Sequence, residues 1–333
     1  MKQGLRTFVV ANPRARAGAV GREWSPIERM LKAKISEIDV AFTEGPGHAS
    51  VLAREAIRSG WEMILCVGGD GTCNEVVGGF FEEPERRDRF ETDGEGWLTP
   101  VGPAPAPINP EAVFGFLPLG TGGDLRRTLG WMGSLKENIQ RFDGRDTKPI
   151  DVGYVGFVDR QGELKSRVFV NIASAGFSGA VDALVNRMWK GLGGNLSFRL
   201  ASLGAYVGWK NPEIEVRLDN LEVHAGKFFN VVVANGQYFG GGMWIAPGAA
   251  LDDGVFQVVF LGDLGVRKVV PLISSIYRGG HLGFDEVFRR NATEIAIRPA
   301  NHEGHAALDL DGEQPGHLPA HFSMLESKLL LKV

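Results

Sequence analysis

Cysteine is scarce in this chain: Cys66 and Cys73 are the only two in 333 residues. One falls in an apolar, strand-like run and the other at a helix start. That rules against a disulfide framework or a zinc cluster and fits a reduced, cytoplasmic compartment. An excess of basic charge is missing too. A formal charge of -4 and a pI near 6.0 argue against general nucleic-acid binding, which needs a concentrated basic face, so no nucleic-acid partner is expected. No apolar run approaches the ~18 residues of a transmembrane helix, and no charged segment leads into an apolar one at the N-terminus. Any membrane contact is therefore expected to be peripheral, at the inner face. The seven histidines form no constellation; His302 and His305 are close, but no third ligand is implied and an exposed loop is the simpler reading. No Ser-His-Asp set can be justified from order alone. With 44% apolar residues the chain can build two ordinary domains, each with its own core.

The organising stretch is Met63 to Glu75, MILCVGGDGTCNE. An apolar run ends in Gly68, Gly69, Asp70, Gly71 and Thr72, and a helix-like segment follows over Asn74 to Phe81. A strand that feeds glycines into a helix start leaves bare backbone N–H groups where an anion can approach, and the helix dipole adds to the attraction. The Asp70 carboxylate would repel a naked phosphate, so it implies either a divalent cation or a proton-accepting role. A tight strand-to-helix turn capped by Asp70 accounts for the same five residues equally well.

In chain order, Thr7 to Ala11 reads as a buried parallel strand running into Asn12-Pro13-Arg14-Ala15-Arg16-Ala17-Gly18. Arg14 and Arg16 either meet phosphates or form a solvated basic loop, while Asn12 can fix the loop through its side chain. Ile27 to Ala33 has helical spacing, Ile38, Val40 and Phe42 alternate as a strand ending at Thr43, and His48 to Ser59 carries one apolar helical face. Strand and helix alternate, the pattern of a parallel sheet covered on both sides, with ligands at the strands' carboxyl ends. Residues 82–112 break that pattern with a charge-dense run and five prolines between Pro100 and Pro110, and are expected to be a mobile surface insertion or a lid. Val113 to Leu117 restores the sheet. Pro118-Leu119-Gly120-Thr121-Gly122-Gly123-Asp124 is then a second glycine-rich strand end before a helix, Leu125 to Leu129. Two such loops, each with one Thr and one Asp, favour a functional reading over independent turns; Thr72 and Thr121 can donate to phosphate oxygens.

The second half is richer in short β segments: Asp151 to Phe157, Arg167 to Ala173, Ile214 to Leu218, Lys227 to Val233, Val255 to Leu261 and Thr293 to Arg298. They predict an antiparallel sandwich or barrel with helical excursions at Gly179 to Trp189 and Leu196 to Trp209, which either line an acyl-chain tunnel or cover the sheet. Met243 and Trp244 beside Gly240-Gly241-Gly242, and Trp189 with Lys190, suit a membrane interface or a core position.

The ordered motifs resemble those of the diacylglycerol kinase catalytic-domain family, which includes bacterial soluble diacylglycerol kinases, YegS-like lipid kinases, sphingosine kinases and ceramide kinases. They are Asn12-Pro13 with Gly18, Gly68-Gly69-Asp70-Gly71-Thr72 with Asn74-Glu75, and Pro118-Leu119-Gly120-Thr121 with Asp124. The run Ala246 to Gly254 and the acidic Asp311-Gly312-Glu313 continue the resemblance. It implies an N-terminal α/β nucleotide-binding domain, NAD-kinase-like, at 1–147, and a C-terminal β-sandwich-like lipid-binding domain at 148–319. The tail 320–333 is expected to return to the first domain. The implied nucleotide site is Asn12, Thr43, Gly68, Gly69, Asp70, Gly71, Thr72, Asn74, Glu75, Gly120 and Thr121. The implied magnesium site is the Asp253 carboxylate with the carbonyls of Ala250 and Val255, and the implied proton acceptor is Asp311, Glu313 or Asp70. ATP as co-substrate, Mg²⁺, a membrane-lipid substrate and transient contact with a membrane surface follow from the same resemblance, which leaves a homodimer open. Gly123 stands where the family usually has Asn, and the proline-rich insertion is atypical. The leading expectation is a kinase acting on a lipid hydroxyl. A NAD kinase and a non-catalytic lipid or nucleotide sensor are the alternatives.

Overall fold

The computed structural model describes residues 4–82, 90–179, 209–301 and 306–333. In the first half, the apolar runs form β1 (Thr7–Ala11), β2 (Ile38–Phe42), β3 (Met63–Gly68) and, beyond the hairpin β4 (Phe90–Thr92) and β5 (Leu98–Pro100), β6 (Val113–Pro118). β1 pairs in parallel with β2 and β3, and β3 with β6, so all four carboxyl ends share one edge. Alternate residues face opposite layers, as strand geometry requires. Val9, Met63, Leu65 and Val67 pack with Val20 of α1 (Ala15–Arg22) and with Ile27 and Leu31 of α2 (Trp24–Lys32). Val10, Ile64 and Cys66 pack with Ala49, Ala53 and Ile57 of α3 (His48–Arg58) and with Val76 and Val77 of α4 (Asp70–Gly78). β3 is buried along its whole length, which explains its unbroken apolar run. Two short helices, α5 (Asp124–Thr128) and α6 (Leu135–Gln140), follow β6, the second closed by a Ser134–Glu137 capping box.

The second half consists of β7 (Thr147–Asp159), β8 (Leu164–Phe169), β9 (Ile172–Gly176), β10 (Glu213–Leu218), β11 (Glu222–Lys227), β12 (Asn230–Ala234), β13 (Tyr238–Phe239), β14 (Met243–Trp244), β15 (Phe256–Leu261), helix α7 (Val266–Ile276), β16 (Val287–Ala292), β17 (Glu294–Pro299), β18 (Ala307–Leu310) and β19 (Glu313–Lys332). Most of its pairings are antiparallel, around a core that includes Val216, Val231, Val258, Phe260, Leu308 and Phe322. Two predicted runs each conceal a boundary. Arg167 to Ala173 spans the end of β8 and the start of β9, and Lys227 to Val233 spans the end of β11 and most of β12.

β19 joins the two halves. It runs antiparallel to β7 over most of its length, and its end pairs in parallel with β6, Leu330 opposite Val113 and Leu331 opposite Phe114. One sheet therefore passes from β16 through β15, β12, β9, β18 and β19 into β6, β3, β1 and β2.

The insertion departs from the expected mobile loop. Phe90, Trp97 and Leu98 are buried; Phe90 packs on Tyr154 and His321, and Trp97 lies between the guanidinium groups of Arg217 and Arg298, 4.4 and 4.5 Å from its ring centre. Three large apolar side chains, scattered among prolines and charges, supply the burial that average composition hides. Residues 83–89 lie outside the described ones, as do most of the two expected excursions, Trp189, Lys190, His302 and His305. Among the described residues no helix is long and apolar enough to cross a membrane.

Candidate active site at the strand ends

At the shared carboxyl edge, the glycines are dictated by close approach. A Cβ on Gly120 would lie 2.4 Å from the Gly69 Cα, and one on Gly68 would lie 2.8 Å from the Thr72 Cβ. The loops after β3 and β6 thus pack backbone against backbone. Asn12 ties in the loop after β1: its Nδ2 donates to Thr72 Oγ1 at 2.9 Å, and its Oδ1 accepts from the Arg14 N–H at 2.9 Å. The chain then passes through Arg16, Ala17 and Gly18 at φ of 51, 53 and 81°, a left-handed stretch that only Gly adopts freely. Thr43 directly follows β2 beside this loop, its N–H donating to the Ala11 carbonyl at 2.9 Å.

Asp70 clasps two loops together. Its Oδ2 accepts from the Gly123 and Asp124 N–H groups at 2.7 and 3.3 Å, and its Oδ1 from the Leu125 N–H at 3.2 Å. The carboxylate therefore occupies the start of α5, where three backbone donors would otherwise be orphaned. The start of α4 carries no such side-chain cap. Gly123 sits at φ 66°, left-handed backbone that glycine adopts freely, and a Cβ there would lie 2.5 Å from Arg126 Nε. Asp124 reaches into the second half: its Oδ2 accepts from the Gly241 N–H at 2.9 Å, while Arg127 pairs with its Oδ1 at 3.3 Å. Burial and the nearby Asp70 carboxylate push Asp124 up to about 6, against the lowering effect of the Gly241 N–H and Arg127. The glycine run 240–242 thus has a docking role within the protein. Trp244 is half-buried next to it, donating Nε1–H to Gln237 at 3.0 Å and stacking on Tyr238.

The acidic turn between β18 and β19 meets this assembly from the other side. Asp311, at φ 49°, accepts from the Ile172 N–H at 2.8 Å and from the Val170 N–H at 3.3 Å. The Asn74 amide, turned so that its nitrogen donates, reaches Asp311 Oδ2 at 3.2 Å and the Val168 carbonyl at 3.2 Å. Burial raises Asp311 to about 7, and the Asp309 and Asp70 carboxylates act in the same direction, outweighing the two backbone N–H bonds. Glu313 pairs with Arg167 at 3.2 Å, and its Oε1 lies 3.7 Å from where a Cβ on Gly71 would sit. Asp70, Asn74, Asp311 and Glu313 therefore gather around the start of α4.

The remaining sequence-derived residues divide. Gly68, Gly69, Gly71, Thr72 and Gly120 lie where the loops after β3 and β6 meet, and Thr121 is exposed. Glu75 instead points at α3, its Oε2 accepting from the Ala49 N–H at 3.2 Å. Asp253 lies near a different junction: its Oδ1 accepts from the Val255 N–H at 3.2 Å, and Gly254 donates to the buried Asp151 at 2.8 Å. Burial, with Asp151 and Asp252 nearby, raises Asp253. A carboxylate so placed is a fitting oxygen ligand for a hard cation. Among the described residues no group of three or more His, Cys, Asp or Glu side chains could hold a metal. The Asp124–Gly241 contact and the Arg127 bonds to the Gly122 and Gly123 carbonyls were missed by sequence reasoning. The glycine run 240–242 was the only signal for the first, and nothing marked the second.

A two-domain protein with an α/β half whose strand-end loops meet an acidic turn from a β-rich half defines the class. The model of the diacylglycerol kinase catalytic domain matches residues 6–155, and that of the YegS C-terminal NAD kinase beta sandwich-like domain matches residues 171–332. The chain thus joins a match to the diacylglycerol kinase catalytic domain to a match to the YegS C-terminal domain. It is 24% identical over 323 residues to a diacylglycerol kinase of Bacillus subtilis (strain 168), covering 95% of this chain and 92% of that one. A diacylglycerol kinase of Staphylococcus aureus (strain bovine RF122 / ET3-1) is 25% identical over 325 residues, covering 96% and 90%. The crystal structure of a diacylglycerol kinase from Bacillus anthracis str. Sterne superposes with a TM-score of 0.72 at 20% identity, covering 100% of this chain and 98% of that one, which speaks for the fold.

Proposed function

We propose that this protein is a lipid kinase that transfers the γ-phosphoryl group of Mg-ATP to a hydroxyl of a membrane lipid such as diacylglycerol. The observation that carries the reading is the meeting of the acidic turn with the glycine loop: Asp311 on Asn74, and Glu313 against Gly71. Support also comes from the family and from the names of its relatives.

The first amides of α4, uncapped and lined by glycine, suit the phosphates. Asn12 and Thr72, bonded to each other, hold the neighbouring loop in place, and Gly69 and Gly120 keep the two glycine loops in close backbone contact. Such positioning does most of the work when the transition state needs little covalent help. Magnesium bound with the nucleotide would neutralise charge on the phosphate oxygens. Asp311, with its proton affinity near neutrality, is suited to take the proton from the lipid hydroxyl, and Asn74 orients its carboxylate. Asp70 serves by holding α5 against the loop after β3. The lipid would be presented at a membrane surface by transient contact.

Incubation of the full chain with γ-labelled ATP and a total lipid extract, with NAD in a parallel reaction, tests the proposal. Label in a lipid product is the expected result. Label in NADP, or nucleotide binding with no turnover on either, would overturn it.

A further inference from the structure

Behind the acidic turn lies a carboxylate that the proposed chemistry leaves unused. Asp309 is 4% exposed, one strand residue before Leu310 and directly opposite Ser174 in the β18–β9 pairing. Its Oδ1 accepts the Gly312 N–H at 2.9 Å, and its Oδ2 accepts from Ser174 Oγ at 3.3 Å. Ser174 Oγ also lies against Ser178 Oγ, which is 3.0 Å from Oδ1 of the buried Asn230, so the two hydroxyl protons are shared among these contacts. A chain of buried polar groups thus anchors one oxygen of Asp309 while the other closes the turn.

That turn has an unusual backbone. Asp311 and Gly312 both adopt left-handed conformations, at φ 49 and 84°, as the two central residues of a tight hairpin turn with Leu310 and Glu313 paired on either side. The Asp309–Gly312 bond closes over Leu310 and Asp311 and adds a side-chain clasp to the strand pairing that flanks the turn. With the turn closed, the Asp311 carboxylate meets the Val170 and Ile172 N–H groups and the Asn74 amide.

We infer that Asp309 is a positioning residue for the acidic turn: by accepting the Gly312 N–H it locks the left-handed backbone that aims Asp311 at Asn74 and the glycine loop. The inference rests on the proposed role of Asp311 as proton acceptor. Asp309 also acts through charge, since its carboxylate is among those that raise Asp311. The other charged or titratable groups facing Asp311 are Asp70 and Cys73 from α4, and Glu313 with its partner Arg167 from β19 and β8.

Asp309→Asn separates the two effects, because the amide oxygen still accepts the Gly312 N–H while the charge is gone; Asp309→Ala removes both. Three readouts on the full-length protein distinguish the outcomes: kcat and KM for lipid phosphorylation across pH, the titration of the Asp311 carboxyl carbon by NMR, and the thermal midpoint. The expected result is that Asp309→Ala lowers kcat by about tenfold or more with KM for ATP little changed, while Asp309→Asn restores most of kcat. In Asp309→Asn the Asp311 titration and the acid limb of kcat both move to lower pH. An unmoved Asp311 titration in Asp309→Asn, or wild-type kcat in Asp309→Ala, would overturn the inference. So would Asn and Ala variants that lose activity equally, in step with their thermal midpoints. Full activity of Asp311→Asn would instead sink the proton-acceptor reading on which the inference rests, and the NMR titration distinguishes that failure from the others because it needs no turnover.

Discussion

Replacing Gly120 with alanine puts the loop architecture to a quantitative test. The new Cβ would lie 2.4 Å from the Gly69 Cα, with the Gly69 nitrogen and carbonyl carbon at 3.3 and 3.5 Å. Ordinary van der Waals contact begins near 3.4 Å, and no flexible side chain is available to yield, so the two backbones must part by about 1 Å. Overpacking of this kind costs about 1–3 kcal/mol of stability. The larger effect is on catalysis, where a misplacement of about 1 Å is worth ~10²-fold in rate, or about 2.7 kcal/mol of barrier. Gly94→Ala is the matched control, because the methyl group it adds would have nothing within 4 Å. Steady-state lipid phosphorylation by both variants, with thermal unfolding alongside, makes the comparison. Wild-type kcat in Gly120→Ala would refute the argument that close approach of these two loops builds the site.

Other perturbations follow from the same geometry. Asp311 is raised to about 7, so kcat/KM for lipid phosphorylation should rise with pH through about 7 and then level, and Asp311→Asn should lower kcat by ~10²–10⁴-fold. Because this folded-state value lies above that of the unfolded chain, the folded protein holds the extra proton between about pH 4 and 7. The stability contributed is full below that window and lost as pH rises through about 7; urea unfolding of wild type against Asp311→Asn at pH 5 and 8 measures the difference. Trp97→Ala should destabilise by about 3–5 kcal/mol in denaturant unfolding, since the ring fills the space between Arg217 and Arg298; a loss below 1 kcal/mol would return the insertion to a loose surface loop. Glu75→Ala should cost about 0.5–2 kcal/mol by leaving the Ala49 N–H at the start of α3 without its acceptor while leaving KM for ATP unchanged, and a large rise in KM would show that Glu75 reaches the nucleotide.

The parts legible in the sequence are those where one residue type answers to one local demand. The buried strand Met63–Gly68 announced itself by an unbroken apolar run, and the glycines at 68, 69 and 120 by their place at strand ends, where Gly69 and Gly120 touch through their backbones and Gly68 leaves room for the Thr72 side chain. The motif residues Asp70 and Asp311 were equally visible, but the contacts they make were not. Asp70 binds amides more than fifty residues away, and no local pattern encodes a hydrogen bond to a distant backbone. The insertion misled for a related reason. Composition averages over its length, whereas Phe90, Trp97 and Leu98 act singly, each finding a partner on strands far along the chain. The long β19 was read only as a returning tail, since Pro315 and Pro319 interrupt the alternation that marks a strand.

The account stands on one site assembled from three strand-end loops and one acidic turn. Amide hydrogen exchange of the full-length protein, with and without Mg-ATP, measures this most directly. It predicts joint protection of residues 12–18, 68–74 and 120–124, together with slower exchange at the 309–313 turn. Protection confined to one loop, or falling on a surface remote from Asn74 and Asp311, would contradict it.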